Sequence, residues 1–100
     1  MKMQPDKETI LQRLKEVKPL LQEKYHLTEL AIFGSYARDE QTAKSDLDIM
    51  VKFEYPDYRN LCNTAYTLYD LFPGLEVQIV SKGAIKPKYF EYVKPDLIYA

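Results

Sequence analysis

From Asp6 to about Tyr25 the apolar residues Ile10, Leu14, Val17 and Leu21 recur at steps of four, three and four, the period of one helical face. A first helix is predicted there. Pro19 falls inside it and removes a backbone donor, so the pattern predicts a kink or a break, with Pro19 in the first turn of a second helical segment. "LTELAIFGS", Leu27 to Ser35, holds a short apolar run stopped by Gly34, as a buried strand feeding a tight turn would be. A short helix starting at Ser35, over "SYARDEQ", is expected next. "DLDIMVKF", Asp46 to Phe53, reads as a second strand between the turn-like stretches "TAKS" and "EYPD".

Tyr58, Leu61, Cys62, Ala65, Leu68, Tyr69 and Phe72 trace the clearest amphipathic helix, stopped by Pro73 and Gly74. "LEVQIV", Leu75 to Val80, alternates apolar and polar residues and predicts a third strand. A short helix around Lys86 to Val93 and an extended end complete the chain. Strands alternating with helices point to an α/β (α+β) layered domain, with helices packed on a small sheet. No repeat or linker divides the sequence, so residues 1–100 are read as one domain.

Composition narrows the function classes. Hydrophobic residues make up 46% and charged residues 29%, which suits a packed globular domain. The formal net charge of −1 lacks the broad basic field on which non-specific nucleic-acid binding depends, so no nucleic-acid partner is expected. The opening "MKMQPDKETI" is too charged for a secretory leader and no apolar run reaches membrane-span length, so a cytoplasmic protein without a membrane partner is expected. Cys62 and His26 are the only residues of their types, which removes internal disulfides, cysteine metal clusters and histidine-pair zinc motifs. Cys62 is placed on the buried face of its helix, and His26 is read as an ordinary residue near the end of the first.

The chemistry concentrates in "FGSYARDEQTAKSDLDIMV", Phe33 to Val51. Asp46 and Asp48 are two apart in a strand, so both side chains leave the same face with backbone positions about 6 to 7 Å apart. At an effective dielectric of 20 two carboxylates at that separation repel by about 2 to 3 kcal/mol. Among Leu47, Ile49, Met50 and Val51 this calls for a compensating cation. Mg²⁺ is the natural candidate, because it takes oxygen ligands, keeps several waters and is usually held by one or two carboxylates plus substrate phosphates. Gly34 and Ser35 supply a phosphate cradle if the strand ends there and a helix begins, since glycine permits close approach and the first turn presents free N–H groups. A plain capped turn and solvated strand-edge charges are the simpler readings of each feature taken alone.

The combination resembles the Gly-Ser, then Asp-x-Asp signature of the DNA polymerase β-like nucleotidyltransferases, in the short form G-S-x-A-R-G followed by S-D-x-D. That form is similar to the minimal nucleotidyltransferases, the MNT antitoxins that accompany HEPN-domain toxins. The likeness spans nearly the whole chain. It implies the nucleotidyltransferase fold, with a small mixed sheet of about three to four strands. It also implies Mg²⁺-dependent transfer of AMP from ATP to a tyrosine of a HEPN partner. On this sequence Gly34, Ser35, Arg38 and Ser45 would meet the nucleotide, and Asp46 and Asp48 would hold the metal.

The chain departs from the pattern twice. The glycine after the arginine is Asp39, at a position that can demand unusual backbone angles, which aspartate tolerates. The aspartate carried by the family's third strand aligns with Gln78, which bears no charge and cannot serve as a base. Glu76, two residues earlier on the same face, is the candidate substitute, and a two-residue slip would put it in the third-carboxylate position. The alternative to an active enzyme is therefore a degenerate, partner-binding module. Nine tyrosines in 100 residues, with Tyr55, Tyr58, Tyr89, Tyr92 and Tyr99 outside the predicted strands, suit either packing on the sheet or an interface in a homo- or hetero-oligomer. Lys82, Lys86, Lys88 and Lys94 form a basic stretch that faces solvent, a triphosphate or an acidic partner.

Overall fold

The structure is a computed structural model that describes residues 5–55 and 57–100. Helix α1 spans Lys7–Tyr25, capped by Asp6, whose carboxylate accepts the Thr9 N–H at 2.8 Å. Ile10, Leu14 and Leu21 are buried along it. The expected break at Pro19 does not occur, and α1 is continuous through it. Pro19 and Lys15, whose carbonyl loses its intrahelical donor, both lie on the exposed side, where the freed carbonyl is open to solvent and the missing bond costs little. His26 ends the helix in the left-handed conformation at φ 60°, its N–H donating to the Leu21 carbonyl.

Strands β1 (Leu27–Phe33) and β2 (Leu47–Phe53) pair antiparallel. Helix α2 (Tyr58–Leu71) crosses back, and β3 (Val77–Ser81) then lies parallel to β2. A 3-10 turn at Lys82–Ala84 leads to α3 (Pro87–Val93), a second turn at Lys94–Asp96 and a short β4 (Ile98–Tyr99) antiparallel to β1. The mixed four-stranded sheet has the order β3-β2-β1-β4, as the expected α/β (α+β) class requires. The tail that read only as extended therefore supplies the fourth strand, fixed by Ala100 N–H to the Leu30 carbonyl at 2.9 Å.

Alternation along the strands divides the sheet between two cores. Leu30, Ile32, Leu47, Ile49 and Val51 pack against α1 and α2, with Tyr36 and Phe72 closing the cluster. Ala31, Phe33 and Met50 face the other way and meet Val93 of α3. Asp48 and Gln78 share this second side by strand parity, beyond the part that α3 covers.

Two further expectations change. The buried face of α2 runs through Leu61, Thr64, Leu68 and Phe72, while Tyr58 and Tyr69 are exposed and Cys62 is only partly covered. The hydroxyl-bearing Thr64 belongs to the buried stripe, which an apolar count passes over. The third strand begins at Val77 rather than Leu75, because Leu75 N–H is used by the Phe72 carbonyl in the preceding turn.

Candidate functional site

β1 ends in Phe33, which stands opposite Asp48 of β2, and Gly34 follows with φ 76°. A Cβ at Gly34 would collide with Asp48 Oδ2 and lie 3.3 Å from Asp48 Cγ. Glycine is thus required twice, by its left-handed backbone and by the carboxylate laid against it. The two halves of the sequence motif are in contact through this pair.

The helix expected from Ser35 is not formed. Ser35–Asp39 is a set of turns, held by Arg38 N–H to the Gly34 carbonyl at 3.2 Å and Glu40 N–H to the Ser35 carbonyl at 2.9 Å. Asp39 at φ 57° ends it after a single turn, the left-handed conformation that the glycine-to-aspartate departure anticipated. The Ser35, Tyr36 and Ala37 N–H groups have no hydrogen-bond acceptor among the described residues, but Tyr36 is fully buried and Ala37 nearly so, and the donor that the turn presents to solvent is that of the partly exposed Ser35. Its base is fixed by Tyr36, which is fully buried in the main core, and by Asp39, which pairs with Lys7 at 2.9 Å.

Asp46 precedes β2 and Asp48 is its second residue, both partly exposed. Burial pushes the Asp48 carboxyl above the usual aspartate range, the Asp46 charge pushes it further, and Arg38 opposes both. The like-charge cost foreseen from the spacing is therefore present in the folded chain.

The β2–β3 register settles which residue flanks Asp48. Asp48 pairs with Gln78, and Leu47 N–H donates to the Glu76 carbonyl at 2.8 Å, so no two-residue slip occurs. Gln78 Nε2 donates to Asp46 Oδ2 at 2.8 Å, giving one carboxylate a neutral donor where a third carboxylate would have stood. Glu76 lies just before β3, is exposed, and makes no side-chain hydrogen bond among the described residues.

Arg38 reaches Glu40 with Nε at 2.8 Å and Asp96 with Nη1 at 2.6 Å, tying the loop to the turn before β4. In this conformation Arg38 is thus a surface arginine engaged by two acids. The Ser45 hydroxyl accepts the Thr42 N–H at 2.8 Å and its own N–H donates to the Thr42 carbonyl, closing the loop that delivers Asp46. The basic stretch is dispersed: Lys82 bonds Glu29 at 3.1 Å on β1, while Lys86 and Lys88 sit beside exposed Tyr89. Sequence reasoning missed Asp96 and Glu29, though a glutamate inside the apolar run of β1 was a visible sign of a partly buried ion pair.

A cation is supported by the donor set itself. Two carboxylates forced together beside a free N–H suit Mg²⁺, which needs few protein ligands when phosphates and waters complete its shell. No group of three or more His, Cys, Asp or Glu side chains suited to a metal occurs among the described residues, so an all-protein cage is not on offer. No helix among the described residues is long and apolar enough to cross a membrane.

Comparison with known proteins agrees with this geometry. Residues 14–98 match the family described as the nucleotidyltransferase domain. A "Putative protein adenylyltransferase" of Methanocaldococcus jannaschii is 50% identical over 88 residues, covering 86% of this chain and 89% of its own. A solved structure described as a "putative minimal nucleotidyltransferase" superposes with a TM-score of 0.77 at 32% identity, covering 94% of this chain and 95% of that one. A chain from the toxin-antitoxin complex MntA-HpeT shares the fold, with a TM-score of 0.64 at 19% identity over 95% of this chain and 72% of its own.

Proposed function

We propose that this chain, which belongs to the minimal nucleotidyltransferase family, binds ATP with Mg²⁺ and transfers AMP to a tyrosine of a HEPN-domain partner, acting as the antitoxin of the pair. The observation that carries the reading is the contact between Gly34 and Asp48, which brings the unpaired N–H of the partly exposed Ser35 beside the Asp46–Asp48 carboxylates. The turn donates to the triphosphate, with the Ser35 hydroxyl as a further donor, and Asp46 and Asp48 would hold Mg²⁺. The ion neutralises phosphate charge when bound. Ser45 positions Asp46 by closing its loop, and Arg38 would meet phosphate on exchanging its acidic partners for it.

In the transfer the tyrosine oxygen bonds to the α-phosphorus as the bond to the β-phosphate oxygen breaks and pyrophosphate leaves. The hydroxyl proton goes to solvent or to Glu76, because Gln78 cannot accept it. A protein partner is supported by the toxin-antitoxin structure MntA-HpeT, one chain of which shares this fold.

Gln78 favours a second reading, in which the chain binds its HEPN partner and neutralises it by covering it, with transfer slow or lost. One experiment separates the two. The chain is incubated with Mg²⁺, ATP labelled in the α-phosphate and the HEPN protein encoded beside it, and label surviving denaturation is mapped by mass spectrometry. Label on a partner tyrosine establishes transfer. Co-elution of the two proteins without label under any metal condition rejects transfer and leaves the binding module.

A further inference from the structure

The two edges of the sheet are treated differently. β4 is two residues long, and so short an edge offers little to a foreign strand. β3 presents five residues with no proline and, among the described residues, no strand beyond it. Since Leu47 donates to the Glu76 carbonyl, Gln78 and Val80 turn their backbone groups toward β2, and Val77, Ile79 and Ser81 turn theirs outward.

Beside the C-terminal half of this edge runs an apolar groove of about 620 Å³ lined by Leu61, Ile79, Ser81, Ile85, Lys86 and Tyr89. It continues to Tyr58 at one end and Tyr92 at the other, which are 80% and 75% exposed. Seven of the nine tyrosines are exposed, and five of these, Tyr58, Tyr66, Tyr69, Tyr89 and Tyr92, stand on α2 and α3, the helices beside this edge. An unprotected strand edge with an aromatic rim is a pairing surface.

We propose that its occupant is β3 of a second copy of this chain, paired antiparallel about a two-fold axis at Ile79. Two sheets of four strands then become one continuous sheet, joined by about six backbone hydrogen bonds, with the tyrosines of α2 and α3 covering the seam. One observation and one symmetry argument select a second copy in this orientation. Charge is split along the edge, with Asp70 and Glu76 at its N-terminal end and Lys86 and Lys88 at its C-terminal end. All four are exposed, and none is in an ion pair among the described residues. Antiparallel pairing sets the acidic end of each copy against the basic end of the other. A two-fold contact also closes on itself, whereas head-to-tail addition would leave a free edge and grow. Asp46 and Asp48 lie one strand in from the seam, while Gln78 stands on the seam strand and Glu76 just before it, and the pairing rests on backbone groups and surface charge rather than on bound nucleotide.

The test is sedimentation equilibrium of the full chain from about 5 to 500 μM, with amide hydrogen exchange read at Ile79 across the same range. The informative variant is Ser81→Pro. Ser81 has φ −87° and ψ 129°, which proline adopts, and its N–H points away from β2, so the native ladder is kept. The expected result is a reversible dimer whose Ile79 amide slows as concentration rises, and a dissociation constant at least about tenfold higher in Ser81→Pro with unchanged far-ultraviolet circular dichroism. Should the variant fold poorly, Ile79 exchange in the wild type decides alone. A monomer throughout the range overturns the proposal, as does a dimer with a fast-exchanging Ile79 amide or one indifferent to a folded Ser81→Pro. Protection that arises only on adding the HEPN protein also overturns it and gives the edge to that partner.

Discussion

Replacing Asp48 by asparagine should stabilise the ligand-free protein while removing the proposed nucleotide site. Asp48 accepts no side-chain hydrogen bond among the described residues, and burial together with the Asp46 charge raises its carboxyl above the ordinary range. With the two residues about 6.5 Å apart, the repulsion at an effective dielectric of 20 is about 2.5 kcal/mol. Partial exposure and the opposing Arg38 charge reduce the net term to about 0.5 to 1 kcal/mol. In a 100-residue domain that corresponds to a melting temperature higher by about 2 to 6 °C.

The pH dependence fixes the cause. A carboxyl whose folded pKa is raised binds its proton more tightly in the native state, so the native fold is favoured below the unfolded pKa. That advantage is lost as pH rises through the folded value. The gap between Asp48→Asn and wild type should therefore be near zero below about pH 4, open as pH rises and stay level to pH 7. The assay is thermal and urea unfolding of both proteins from pH 3 to 8 without metal or nucleotide. A variant less stable than wild type by about 1 kcal/mol or more, or a gap that persists in acid, would refute a like-charge origin.

Other perturbations have equally definite outcomes. Gly34→Ala should cost about 2 to 4 kcal/mol, since it adds left-handed strain to a collision with Asp48, and urea unfolding will report it. Gln78→Asp should lower ligand-free stability by about 1 kcal/mol through a third like charge, yet raise AMP transfer by about 10²-fold by restoring a proton acceptor. Unchanged labelling would show that the third position is not limiting. Burial pushes the Glu29 carboxyl up, but the Lys82 ammonium, with Lys52, outweighs this and leaves it below its ordinary value. Its stabilisation is thus present above the unfolded pKa and lost as pH falls through the folded one. Glu29→Gln should remove about 0.5 kcal/mol at pH 7 and flatten the acid limb below about pH 4.5, measured by thermal unfolding.

How much of this was legible beforehand depends on the range of the forces involved. The α1, β1, β2, α2 and α3 segments are written in local periodicity, and the Asp46–Asp48 spacing predicted a shared face because strand parity is local. The Ser35 turn misled because its first residues look helical, while the left-handed Asp39 that ends it depends on contacts such as Lys7. Pro19 misled because its effect depends on whether the freed carbonyl meets water. The position of Gln78 needed the β2–β3 register, and Arg38's partner Asp96 lies 58 residues away. The edge at β3 is likewise invisible until the strand order is known.

A working Mg²⁺-nucleotide site at Gly34, Ser35, Asp46 and Asp48 underlies the proposed activity. Calorimetric titration of ATP into the wild type and into the Asp46→Asn, Asp48→Asn double variant, with and without Mg²⁺, examines that site with no partner protein present. The expected result is binding by the wild type that requires Mg²⁺ and is lost in the folded double variant. Absence of binding by the wild type at about millimolar ATP, or equal binding by the double variant, would rule such a site out.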